Sequence, residues 1–343
     1  MNILIVKLSA IGDVIHTLPS LAALRARYPD AHITWVIEEA ASDLIADHPD
    51  LDRVLISHRK RWIKDLKGCR FMAAFREIRS FIRNLKDRPY DLVIDFHGLL
   101  KSAAIVLLSG GKRKLGYDSL QELSGLFLTE TIPENMEKHA VDRYLDFPRY
   151  LGADRDQPSF LIPMTDAVAE RVDLLLRTHA LEPGHPFIAV SPQAFWNTKL
   201  WDDDKFAALC DRIIEELKLP VLFTGSERPA IERIRTRMQH PVINLAGRTT
   251  LRELACLYSR AEILITTDSG PMHLAAAMET PVVALFGPTD PKRTGPYGEG
   301  HRVIRQALPC SPCFSKTCPT RQCMTEITVD RVFAAVQEMI LHR

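Results

Sequence analysis

Eight short runs of apolar and β-branched residues, each closing on a turn, restrict this chain more than any other feature in it. In the first half they are Ile3 to Lys7, His32 to Ile37, Arg53 to Ile56 and Tyr90 to Asp95. In the second they are Phe187 to Ser191, Val221 to Thr224, Ile263 to Thr267 and Pro281 to Phe286. Runs of this length read as buried strands, and strands alternating with helical patterns call for a mostly parallel, doubly wound sheet. The helical patterns include Val14 to Arg27, where Pro19 either kinks the helix or starts its regular part, and Asp203 to Leu217. A chain of 343 residues exceeds one ordinary core and suits two. The turn-rich stretch from Tyr150 to Pro186, with one helical pattern from Asp166 to Thr178, carries the boundary. The expectation is an α/β chain of two Rossmann-like domains, 1–160 and 161–328, whose loops face each other across a cleft. The last helical stripe, 329–343, is expected to pack back on the first domain.

Within this frame, Ala261 to Met278 is the most informative stretch. The strand Ile263 to Thr267 runs into Asp268-Ser269-Gly270, and Pro271 sits where a first helical residue would be, its φ already helical. A helix that starts there points free N–H groups at the strand's carboxyl end, which attracts phosphate. His273 lies in the first turn and adds a donor. As an isolated turn it would read as an ordinary βα connection with Asp268 as cap; matching turns at Ser191 to Gln193 and Thr224 to Pro229 favour a ligand site. In the first domain, Leu8 to Asp13 forms a comparable turn with a single glycine, Gly12, so a dinucleotide fingerprint is absent. Asp13 falls at a helix start and reads locally as a cap.

Net charge of +1 disfavours a general polyanion binder, and no nucleic-acid partner is expected. The distribution is less even. Twelve Lys and Arg lie between Arg53 and Arg88 against Asp65, Glu77 and Asp87, and Lys112-Arg113-Lys114 follows. Such a field attracts an anionic partner or is a solvated helix face. Met1-Asn2 leads directly into a strand with no basic start or cleavage site, and no apolar run approaches the roughly 20 residues of a bilayer span. A cytoplasmic location is expected, at most peripheral to a membrane.

The segment Lys7 to Pro19, with Gly12-Asp13, together with Asp268-Ser269-Gly270-Pro271-Met272-His273, resembles the bacterial lipopolysaccharide heptosyltransferases, glycosyltransferase family nine. Asp95 to Ala104, Lys138 to Arg143 and Lys199 to Trp201 support the resemblance, which covers nearly the whole chain. It implies the GT-B fold and inverting, metal-independent transfer of heptose from an ADP-activated donor. The implied acceptor is the 3-deoxy-octulosonic acid (Kdo) sugars of lipid A at the inner-membrane surface, with addition of the first heptose the expectation. It implies Asp13 as general base and Lys199 as the cation that meets the leaving diphosphate, consistent with what those groups can do. Asp268, Ser269, Gly270 and His273 match the donor site, and Glu227 matches a carboxylate for the ribose hydroxyls. A hydroxyl-bearing pair that the family places before the lysine is replaced around Ala194-Phe195, leaving Ser191, Asn197 and Thr198 as substitutes. Gly12, Arg59, Lys60, Arg61, Lys64 and Lys101 are implied acceptor residues, the cations serving sugar carboxylates and lipid phosphates. Trp62 and its apolar neighbours are expected near the membrane surface. The rivals are transfer of the second heptose or of another nucleotide sugar, an epimerase of similar shape, and a two-domain sugar-binding protein that does no chemistry.

Cys310, Cys313, Cys318 and Cys323 are spaced C-x2-C-x4-C-x4-C, with Cys69, Cys210 and Cys256 scattered elsewhere. Four thiols in one short loop suit a structural zinc or an iron–sulfur cluster, or remain reduced or reversibly oxidised. No cofactor is expected in the chemistry itself.

Overall fold

A strand flanked by parallel neighbours with helices on both faces has to be apolar throughout. β1 (Asn2–Val6) meets this, with Ile3, Leu4, Ile5 and Val6 all at 0% exposure. Around it the computed structural model, which describes residues 1–119, 125–153 and 157–342, builds β2 (His32–Glu38), β3 (Arg53–Ser57), β4 (Leu92–Asp95), β5 (Arg113–Tyr117) and β6 (Glu130–Ile132). A second set follows: β7 (Ile188–Ser191), β8 (Val221–Phe223), β9 (Ile243–Asn244), β10 (Ile263–Thr267), β11 (Val282–Phe286) and β12 (Arg302–Arg305). The chain divides into Met1–Pro163 and Met164–Arg343, so the division falls after Pro163 rather than after residue 160.

Each unit holds one all-parallel sheet. The first runs β3-β2-β1-β4-β5-β6 and the second β12-β11-β10-β7-β8-β9. Renumbered within its own unit, the second order is the first read from the other edge. Both are doubly wound, and the order reverses between β1 and β4 in one unit and between β7 and β10 in the other. Crevices at the carboxyl ends of such strands are where ligands bind in open α/β sheets. Register there is fixed by Val6 opposite Asp95 and by Thr266 opposite Ser191.

Helices cover both faces of each sheet. The Ile11–Arg27 helix buries Val14, Leu18, Leu21 and Leu24 and contains Pro19 without ending there. Asp203–Arg212 continues through a wider π-helical turn, Ile213–Leu217. The stripe of the C-terminal helix, Val329–Leu341, with Val332, Phe333 and Val336, lies in the second unit's core, against Asp203–Arg212, β11 and β12. Four strands lack the sequence signal of the others: β5 opens on Arg113-Lys114, β6 and β9 are very short, and β12 is a Val-Ile pair bounded by Arg302 and Arg305.

Candidate functional site

At the carboxyl end of β1 the chain passes Lys7 and turns into the Ile11–Arg27 helix, whose first turn carries Gly12, buried, and Asp13. Asp13 is in part the cap its position suggested: Oδ2 accepts the Ala10 N–H at 3.0 Å. The other oxygen does something else. Oδ1 accepts the Tyr144 hydroxyl at 3.1 Å and lies 4.0 Å from the Lys7 ammonium. Lys7 is 3% exposed and donates to Tyr144 Oη at 2.6 Å and to the Phe96 carbonyl at 2.9 Å. Burial opposes ionisation of Asp13, yet Lys7, the Ala10 N–H and the Tyr144 hydroxyl outweigh it and hold the carboxyl below its ordinary range. Burial, with Asp13 adding to it, drives Tyr144 well above its usual value and keeps it a donor. The carboxylate still keeps 43% of its side-chain surface open.

Beside this pair, β4 ends in Asp95, which is buried and accepts the N–H groups of His97 at 2.9 Å and Gly98 at 3.1 Å and the Ser102 hydroxyl at 2.9 Å. These bonds build the turn that presents His97. Burial, then the charges of Lys7 and Lys101, push the imidazole down to about 3, so it is neutral near pH 7. Both its ring nitrogens are enclosed and lack a hydrogen-bond partner among the described residues.

The expected acceptor cations divide. Lys101 donates to Ser9 Oγ at 2.9 Å and lies 3.7 Å from Glu38 Oε1, the same oxygen that Arg59 Nε approaches to 3.3 Å. Arg61 forks onto Glu77 at 3.0 and 2.6 Å, which engages its Nε–H and one Nη2–H. Lys60 and Lys64 are exposed. Trp62, expected near a membrane surface, instead packs on Phe81 at 5.3 Å and donates to Glu77 at 3.1 Å.

The second unit carries its own constellation at its own reversal point. Asp268, at the end of β10, does not cap the following helix. Its Oδ2 takes the Lys199 ammonium at 2.6 Å and the Thr289 hydroxyl at 2.6 Å. Lys199 stands in a short 3-10 turn, Asn197–Lys199, with its ammonium 4.6 Å from the centre of the Trp196 ring. The Gly270–Ala277 helix therefore follows Ser269 without a side-chain cap; Pro271 brings no N–H, and the Met272 N–H turns back to the Ser269 carbonyl at 3.1 Å. Ser269 donates to the Thr267 carbonyl at 3.3 Å, and His273 is buried at 8% exposure. Ser191 is fully buried at the end of β7, while Thr198 donates to the Ser315 carbonyl at 2.9 Å. Glu227 is exposed beyond Gly225, and that loop is pinned by a residue the sequence reading named only as part of a turn. Gln193 Oε1 accepts the N–H groups of Ser226 at 2.9 Å and Glu227 at 3.2 Å, while Nε2 donates to the Glu227 carbonyl at 2.6 Å.

Lys7, Tyr144, His97 and Thr289 were likewise not singled out from sequence. Lys7 opens the very motif that holds Asp13, and Tyr144 follows Arg143 at the end of another quoted segment. Proximity to those motifs was the available signal.

In the four-cysteine loop Cys310, Cys313, Cys318 and Cys323 are all free thiols. So are the other three cysteines, and among the described residues no three His, Cys, Asp or Glu side chains are placed to hold an ion. Cys323 belongs to the second unit's apolar core, where a Cβ at Gly287 would sit 3.1 Å from its sulfur. Cys310, Cys313 and Cys318 stay exposed, and Cys318 accepts the Arg321 N–H at 3.4 Å within its own turn.

The model of glycosyltransferase family 9 (heptosyltransferase) matches residues 78–324. Lipopolysaccharide heptosyltransferase 1 of Pseudomonas aeruginosa is 31% identical over 377 aligned positions, covering 99% of this chain and 98% of that one. Among solved structures, an Escherichia coli heptosyltransferase with ADP superposes with a TM-score of 0.79 at 26% identity, over 99% of this chain and 100% of that one. A family 9 glycosyltransferase from Veillonella parvula gives 0.85 at 24% identity over 100% and 98% of the two chains, a likeness of fold.

Proposed function

Because this chain belongs to glycosyltransferase family 9, we propose that it moves heptose from ADP-L-glycero-β-D-manno-heptose, with inversion, onto a Kdo sugar of lipid A, adding the first heptose of the lipopolysaccharide inner core. The observation that carries the reading is Asp13, a half-exposed carboxylate held ionised by Lys7 and Tyr144 at a carboxyl-end crevice. Inversion in one displacement needs a base on the acceptor hydroxyl. A carboxylate this weakly basic takes little of the proton at first. It takes it late, when bond formation to the anomeric carbon has made the alcohol oxygen acidic. Ionisation is then guaranteed before the reaction and proton transfer occurs within it. Neutral His97 stands beside Asp13 as a hydrogen-bonding group without charge.

On the second unit, the uncapped start of the Gly270–Ala277 helix, with Ser269, Gly270 and His273, receives the diphosphate. Lys199 meets the charge that grows on the leaving ADP, so the reading needs no metal. Asp268, itself held by the Thr289 hydroxyl, keeps that ammonium in place beforehand, and Glu227 accepts from the ribose hydroxyls. The exposed cations Lys60 and Lys64, with Lys101, serve the acceptor's carboxylates and phosphates. Such an acceptor is presented at the cytoplasmic face of the inner membrane. No helix among the described residues is long and apolar enough to cross it.

The test is transfer from ADP-heptose to two purified acceptors, the heptose-free core and the same core bearing one heptose, followed by mass spectrometry. Product on the heptose-free core alone is expected. Product only on the second core reassigns the step to the next heptose. ADP-heptose binding with no product on either removes the assigned acceptor.

A further inference from the structure

We infer that the outward face of the Arg59–Lys67 and Phe71–Leu85 helices is a docking surface for an anionic phospholipid bilayer. Its basis is a mismatch between what these helices bury and what they leave in water. Phe71–Leu85 turns Ala74, Phe81 and Leu85 inward. On its other side Phe71 is 58% exposed, Met72 81% and Phe75 64%, with Ile63 and Leu66 exposed on the preceding helix. Clustered large apolar side chains on two packed helices mark a surface that something covers.

Charge selects the occupant. From Arg59 to Arg83 the chain has nine Lys and Arg against two acids, Asp65 and Glu77, and those two pair with Arg70 and Arg61. Lys60, Lys64, Lys67, Arg76, Arg79 and Arg83 are all exposed. Met72, Phe75, Arg76, Arg79 and Arg83 follow helical spacing and share one face. Apolar tips at the start of that face, with long flexible cations along it, match the boundary between acyl chains and phosphate headgroups. Nucleic acid would leave Met72 and Phe75 without a use, and a neutral bilayer would leave the cations without one. The anchor is therefore not Trp62, which faces inward, but the Phe71-Met72-Phe75 corner. The inference deepens the lipid-acceptor reading above, yet its deciding readout, vesicle binding, needs neither donor nor acceptor.

The full-length protein is sedimented with vesicles of phosphatidylethanolamine and phosphatidylglycerol, and separately with phosphatidylcholine vesicles. Binding to the first is expected. It should fall about tenfold in high salt, and about tenfold in each of two variants, Phe71→Ser/Met72→Ser/Phe75→Ser and Arg76→Gln/Arg79→Gln/Arg83→Gln. Heptose transfer to a water-soluble Kdo acceptor without acyl chains should be unchanged in the serine variant, which also shows that it folds. Wild-type protein that ignores the anionic vesicles overturns the proposal. So does a serine variant that binds them as well as wild type. Failure to bind vesicles combined with a dimer that the serine variant abolishes assigns the face to a second copy instead. Should the transferase reading fail, vesicle binding would stand untouched.

Discussion

Asp13 gives Oδ2 to the Ala10 amide and keeps Oδ1 for Tyr144 and Lys7. Asp13→Asn preserves an acceptor for that amide, so the helix start survives while the base is lost. kcat on the heptose-free core should fall by roughly 10²–10⁴-fold, with ADP-heptose binding by calorimetry close to wild type. Lys7 lowers the proton affinity of Asp13, so Lys7→Met removes that pull and the acid limb of the kcat/KM profile should move to higher pH. A profile that stays in place would show that the ammonium is structural only. His97 supplies a stability prediction. Its folded value of about 3 lies below its unfolded value of 6.5, so the unfolded chain binds a proton first as pH falls. Stability from this group is complete above about pH 6.5 and declines below it. His97→Gln should flatten the unfolding free energy between those values by at most about 1.4 kcal/mol per pH unit. Asp13 and Lys199 were legible because each sits in a recognisable motif. Lys7 was not, since its role arises from burial and from a hydroxyl 137 positions away.

The turns that follow strands do more here than connect. Gly225 has φ of +147°, and a Cβ on it would meet Gln193 Oε1 at 2.5 Å. Gly225→Ala must therefore strain the backbone and push away the amide that pins Ser226 and Glu227. A loss of about 1–3 kcal/mol is expected, with a higher KM for ADP-heptose and a smaller change in kcat. Equal loss on acceptor KM would detach this loop from the donor. Elements with strong periodicity were readable in advance, β1, β2, β7 and β10 among them, because burial on both faces demands unbroken apolar runs. β9 and β12 were not. Two residues or an Arg-bounded strand at the edge of a sheet derive their conformation from the neighbouring strand rather than from their own side chains.

At the scale of the molecule, each unit has its own sheet, its own core and its own half of the proposed chemistry. Saturating ADP should slow amide exchange at 225–227 and 269–273 and raise the stability of Met164–Arg343 by about 2.7 kcal/mol at a hundredfold excess over Kd. Protection that appeared instead around Asp13 would reverse the proposed division of labour. Two domains were legible from the recurrence of strand and turn signals, whereas the docking of the last helix was not, because an apolar stripe does not name its partner. The two sheets repeat one strand order, each with its cluster where that order reverses. In the proposed division, what is delivered and what receives it are written in separate stretches of the chain. Substitutions that retune one vocabulary leave the other readable. A lineage built on this plan can multiply its products combinatorially, by recombining halves at a crossover near Pro163 instead of reinventing either one.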